Sequence, residues 1–144
     1  MPDPRFLSVI SDKEEGDCGR HAVDPRERAA FLAALDLSTE SLVTLAQVHS
    51  DRVVEAREAD RGNLTLVEAD GLFTRSPGVL LGISVADCVP VWLLDPVTPA
   101  VALLHAGREG TLQKISPAGV HALHRAYGTN PADLTAIIGP SAGP

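Results

Sequence analysis

The chain has 144 residues and a net charge of −7, with 44% hydrophobic but only 3% aromatic residues. That length fits one domain able to bury about 68–70% of its unfolded surface without a disulfide, around a core of Leu, Val, Ile and Ala. Scattered Lys and Arg form no basic patch, which argues against nucleic acid as a partner. The longest apolar run, Val79 to Leu94, is broken by Asp87 and Pro90 and reads as two buried strands rather than a membrane span.

The opening residues Met1 to Arg5 have neither the charged nor the apolar region of a signal peptide, so none is expected. Phe6 to Ile10 then reads as a short strand and Ser11 to Arg20 as a polar loop. Asp24, Pro25 and Glu27 suit the N-cap, first and third positions of a helix with a capping box, and Ala29, Ala30, Leu32, Ala33 and Leu37 supply its apolar stripe. Arg26, Glu27 and Arg28 form its polar side. Strands are expected at Leu42 to Val48, Val53 to Ala56, Leu64 to Val67, Leu72 to Thr74, Val79 to Val85, Val89 to Leu94 and Val101 to His105. The later strands are rich enough in Val, Leu and Ile for burial on both faces. A second helix runs through Ile115, Val120, Leu123 and Tyr127, opened by Ser116-Pro117 and stopped by Gly128, and Ala136 to Ile138 is a last strand. The result is a mixed α/β (α+β) domain over residues 1–144, with mixed β-sheets flanked by helices.

His49, Cys88 and His105 each end an apolar run and precede turn-forming residues. If those runs are neighbours, two imidazoles and a thiolate converge at one sheet edge. Two neutral imidazoles and one thiolate leave about one unit of positive charge on a divalent ion, with a fourth position open, as in catalytic zinc sites. Each residue also has a plainer explanation. A buried Cys is commonly a small core residue, and a His after a strand is commonly a solvated turn residue. Cys88 as a nucleophile activated by His105 requires the same placement. His121 and His124 read as an exposed helical pair, and Cys18 as an ordinary thiol in the turn Gly16 to Gly19. Two cysteines in unlike settings point to reduced thiols and a cytoplasmic compartment.

Five segments occur in order: Gln47-Val48-His49, Ala69-Asp70-Gly71-Leu72, Ala86-Asp87-Cys88-Val89-Pro90-Val91, His105-Ala106-Gly107 and Ile138-Gly139-Pro140-Ser141. Together they resemble the YfiH-like family, described as multicopper polyphenol oxidoreductase laccases and as zinc-dependent purine nucleoside phosphorylases, over roughly Gly16 to Pro144. The resemblance implies a layered sandwich and a catalytic metal held by His49, Cys88 and His105, with zinc the expected ion and copper the alternative. It also implies phosphorolysis of adenosine, inosine, guanosine and methylthioadenosine to free base and sugar 1-phosphate, with adenosine deamination as a second reaction. A cationic site can orient phosphate towards the anomeric carbon, or activate water for attack on the purine carbon bearing the amine. Asp70 is an expected substrate contact, although its place before Gly71 also suits a turn.

Where the family has His-Ala-Gly-Trp-Arg-Gly, this chain reads His105-Ala106-Gly107-Arg108-Glu109-Gly110. A carboxylate about 6 Å from a phosphate opposes it by on the order of 3 kcal/mol at an effective dielectric near 20, which leaves Arg108 as the expected cationic substrate contact. Family chains continue well beyond Gly-Pro-Ser, so the chain is expected to be a fragment or a reduced member, its open edges covered by self-association. The competing readings are a non-catalytic metal- or purine-binding relative, a Cys-His hydrolase and a copper-dependent phenol oxidase. The last is disfavoured because three donors are too few for several coppers.

Overall fold

At the centre is an antiparallel hairpin, Val89–Asp95 paired with Ala100–Ala106. Asp95 closes it by accepting from the N–H groups of Val97 and Thr98. The computed structural model describes residues 6–12, 14–19 and 24–142. In chain order the strands are β1 (Leu42–Val43), β2 (Val53–Glu55), β3 (Gly71–Thr74), β4 (Leu80–Leu81), β5 (Val89–Asp95), β6 (Ala100–Ala106) and β7 (Thr135–Ile138). The helices are α1 (Pro25–Ala33), α2 (Arg108–Leu112) and α3 (Ile115–Tyr127). Five strands form one mixed sheet in the order β2-β3-β6-β5-β7, and β1 pairs in parallel with β4 in a second, two-stranded sheet.

Side chains alternate across β6, and the alternation assigns its two faces to two cores. Ala100, Ala102, Leu104 and Ala106 pack with Val91 and Leu93 of β5 against Ile115, Ala122 and Leu123 of α3. On the opposite face Leu72, paired with Leu103, joins Val43, Leu45, Ala56 and Ala69 in the second core. The layers are therefore α3, the five-stranded sheet, and the two-stranded sheet with α1. Among the described residues no helix is long and apolar enough to cross a membrane.

Several sequence expectations need correction. Phe6 to Ile10 forms no strand. Leu64 to Val67 is turn rather than strand, because Asn63 accepts from the Thr65 N–H and bends the chain, leaving one isolated bridge between Ala46 and Glu68. The runs expected at Leu42 to Val48 and Val79 to Val85 contract to two residues each. Beyond Gly82, whose N–H reaches Val43 O, the Gln47 amide exchanges two hydrogen bonds of 2.8 Å with the Ser84 backbone in place of a ladder. Burial on both faces holds for β6, whereas β5 alternates and β7 is an exposed edge.

Asp24 caps α1 through the Arg26 N–H, with Pro25 in the first turn, but the capping box is absent: Glu27 instead accepts from the Asp17 N–H at 2.7 Å. Of the alanine stripe only Leu32 is buried, and the residue buried beside it is Arg28, expected on the polar side. Small alanines gain little by burial, while the Arg28 guanidinium reaches Gly19 O at 3.0 Å. In α3 the cap is Lys114 in a left-handed conformation rather than Ser116-Pro117, and the short α2 was not anticipated. Gly128 does stop α3, with a φ of 73°.

Candidate metal centre

Antiparallel pairing of β5 with β6 sets the site. Val89 lies opposite Ala106 and Pro90 opposite His105, so the bend carrying Cys88 meets the end of β6 and Gly107. The loop carrying His49 arrives from the second layer. His Nδ1/Nε2 and Cys Sγ donor atoms of His49, Cys88 and His105 lie within 4.8 Å of one another, and this is the trio that the sequence singled out. Its members differ in exposure: His105 is buried, Cys88 half-buried and His49 exposed. The two imidazoles meet edge to face, with centroids 4.9 Å apart.

Asp70 organises two of the three donors. It is 0% exposed, so it has no surface to offer a substrate, and both its oxygens bind protein. Oδ1 accepts from His105 Nδ1 at 2.8 Å. A carboxylate only accepts at neutral pH, so Nδ1 carries the proton and the Nε2 lone pair is left for an ion. Oδ2 accepts from the N–H groups of Val48 and Ser50 at 3.2 and 2.6 Å and from the Ser50 hydroxyl at 2.9 Å. These contacts flank His49, whose φ of 62° few non-glycine residues adopt, so the carboxylate also holds that strained turn. Burial pushes the Asp70 carboxyl up, but hydrogen bonds from His105 and Ser50 outweigh it and hold the pKa below the usual carboxylate value.

Two glycines leave room. A Cβ on Gly107 would stand 2.9 Å from His49 Cδ2 and 3.1 Å from Cys88 Sγ, so the absent side chain makes the cradle in which the donors converge. A Cβ on Gly110 would strike Ser50 O at 2.8 Å, so α2 can lie directly on the His49 loop. The Cys88 bend is braced from the C-terminal segment by Gly139 N–H to Pro90 O and Ala142 N–H to Asp87 O.

Two imidazoles and one cysteine sulfur, with ligand atoms within 4.8 Å of one another and one imidazole fixed by a carboxylate, are a donor set of the kind that holds a divalent ion such as zinc. Among the described residues this is the one such cluster. Arg108 and Glu109 open α2 immediately after Gly107, and both are exposed. His121 and His124 stand apart from the trio, His124 being bonded through Nδ1 to Thr129 O, and the Cys18 thiol donates to Glu15 O. Sequence reasoning quoted Gly107 in the His-Ala-Gly segment but missed the space it leaves, and it missed the double duty of Asp70 and the Gln47 clamp. The Ala-Asp-Gly and Gln-Val-His segments pointed to the latter two positions but not to their roles.

A family model described as multi-copper polyphenol oxidoreductase laccase matches residues 12–144. Purine nucleoside phosphorylase YlmD of Bacillus subtilis (strain 168) is 37% identical over 142 residues, covering 94% of this chain and 50% of its own length. Adenosine deaminase RL5, from an unknown prokaryotic organism, is 35% identical over 132 residues, covering 88% and 49%. The crystal structure of the Bacillus licheniformis hypothetical protein YfiH superposes with a TM-score of 0.81 at 33% identity, covering 98% of this chain and 54% of that one. The chain spans about half the length of the curated relatives it matches. With a match that runs through every segment building the His49, Cys88 and His105 cluster, the chain belongs to the multi-copper polyphenol oxidoreductase laccase family.

Proposed function

We propose that this chain carries the zinc centre of a purine nucleoside phosphorylase, joining a purine nucleoside and phosphate to give free base and sugar 1-phosphate. The observation that carries the reading is the convergence of His49, Cys88 and His105 over Gly107, with His105 oriented by Asp70, in a chain whose relatives include proteins named for this activity. His49, Cys88 and His105 would hold the ion, which would supply positive charge for phosphate binding and for departure of the base. Asp70 fixes the tautomer and ring plane of His105, the role we assign it in place of substrate contact. Gly107 keeps the space between His49 and Cys88 clear. Arg108 is the cation next to this glycine in the chain and is assigned to phosphate, with Glu109 opposing it.

Three donors suit one zinc ion better than the several coppers of dioxygen reduction. A thiolate ligand also suits the reducing cytoplasm. The name of RL5 favours adenosine deamination as a companion reaction, told apart by its product: inosine from deamination, adenine from phosphorolysis. Metal analysis tests the centre, with about one zinc per chain expected and none in Cys88→Ala. Phosphate-dependent release of hypoxanthine from inosine, abolished by a chelator, tests the activity. Full zinc occupancy in Cys88→Ala refutes the site, and zinc-loaded protein without turnover refutes the phosphorylase reading.

A further inference from the structure

β1 and β4 pair in parallel, Leu42 opposite Leu80 and Val43 opposite Leu81, and the Gly82 N–H still reaches Val43 O. The same register would next set Ala46 opposite Ser84. Ala46 is drawn the other way instead. Its N–H donates to Val67 O, its O accepts from the Ala69 N–H, and it bridges Glu68. Gln47 fills the gap with its side chain: Oε1 accepts from the Ser84 N–H and Nε2 donates to Ser84 O, each at 2.8 Å. A primary amide offers the same acceptor and donor as a peptide unit, so this contact is a ladder rung made by a side chain.

The rung joins the two segments that carry His49 and Cys88. Gln47 stands two residues before His49, and Ser84 four before Cys88. On the first side the base is rigid, because Asp70 Oδ2 holds the N–H groups of Val48 and Ser50 around His49. On the second, the run from Ser84 to Cys88 is caught again at Asp87, whose O accepts from the Ala142 N–H at 3.2 Å. A short run fixed at both ends restricts where the Cys88 sulfur can stand. Asp70 orients the imidazoles, and this second device places the sulfur.

We propose that Gln47 is a positioning residue of the metal centre, its amide setting the distance between the Cys88-bearing run and the His49 loop before an ion arrives. The proposal rests on the metal-centre reading above and adds to it the element that places the sulfur. Donors already in place bind more tightly than donors that must be gathered.

Cobalt(II) is the probe, because a cobalt–thiolate bond gives a near-ultraviolet charge-transfer band that reports the sulfur directly. The full chain, unaltered and as Gln47→Met, Gln47→Glu and Thr44→Val, is titrated with cobalt and then with zinc in competition. Gln47→Met keeps the length of the side chain and removes both hydrogen bonds. Gln47→Glu keeps the acceptor for the Ser84 N–H but turns a second oxygen towards Ser84 O. Thr44→Val is the control, removing the Thr44 hydroxyl bond to Leu64 O in the same segment. Both Gln47 variants are expected to bind zinc about tenfold more weakly and to show a weakened thiolate band, while Thr44→Val melts earlier and keeps affinity and band. If Gln47→Met fails to fold, Gln47→Glu, which retains one bond, carries the comparison. Unchanged affinity and band in the Gln47 variants overturn the proposal and leave the metal centre standing. Equal losses in Thr44→Val also overturn it, since general loosening then accounts for the effect. An unaltered chain without a thiolate band in cobalt overturns the metal centre and the proposal together.

Discussion

Replacing Asp70 by Asn tests the centre most directly, because an amide cannot serve both sets of donors. Oδ2 receives three hydrogen bonds from Val48 and Ser50, and Oδ1 receives one from His105 Nδ1. If the NH2 takes the Oδ2 position, two backbone N–H groups and a hydroxyl in a buried pocket face another donor, at about 1–3 kcal/mol for each orphaned group. If it turns towards His105, Nδ1 must accept and the ring proton moves to Nε2, the atom left for metal. We expect a loss of at least about 2 kcal/mol, or about 5 °C or more in melting temperature for a chain of this size. Zinc affinity should fall by about 10–100-fold. Melting in a chelator separates the stability loss from the metal effect, and competition with a chromophoric chelator measures the affinity. A folded Asp70→Asn protein that holds zinc as tightly as the unaltered chain would refute the argument that this carboxylate orients the ligands.

Gly107→Ala isolates the steric requirement, since a φ of −73° suits alanine and only the clash with His49 and Cys88 remains. Zinc affinity should drop at least about tenfold with the circular dichroism spectrum intact, and undiminished binding would show that the donors need no such gap. Asp95 governs the acid response. Burial raises its pKa, but hydrogen bonds from Thr98, Thr129 and Val97 win and lower it from 3.8 to about 2. A depressed carboxylate stabilises above its unfolded pKa and loses that contribution as pH falls through the folded one, so about 2 kcal/mol should disappear between about pH 4 and pH 2. Melts across that range should fall less steeply for Asp95→Asn, and identical slopes would discount the Asp95 turn.

The three residues of the candidate metal site were legible because a strand end followed by a turn is visible in one dimension, and distinctive neighbours flank each of them. Their partners are properties of distance across the fold. Nothing local says that Asp70 reaches His105 and Ser50 at once, or that Gly107 is empty for the sake of His49 and Cys88. The central strands β3, β5 and β6 were readable from unbroken apolar runs. Leu64 to Val67 was misread because Leu and Val look the same in a buried loop as in a strand, and the Asn63 turn decides between them. Helical periodicity counts arginine as polar, so it put Arg28 on the water side of α1, although the Gly19 carbonyl waited within reach of a long side chain.

The grip of Asp70 on both His105 and the turn bearing His49 ties the two imidazoles to a common anchor. A substitution there changes the angle of one ring and the position of the other together, so the nitrogen donors cannot be retuned one at a time. The sulfur is mounted separately, on the bend before β5. Shifts in metal preference among related chains should therefore be traced first to the residues around Cys88, where the coordination can soften or harden without collapse of the opposite wall.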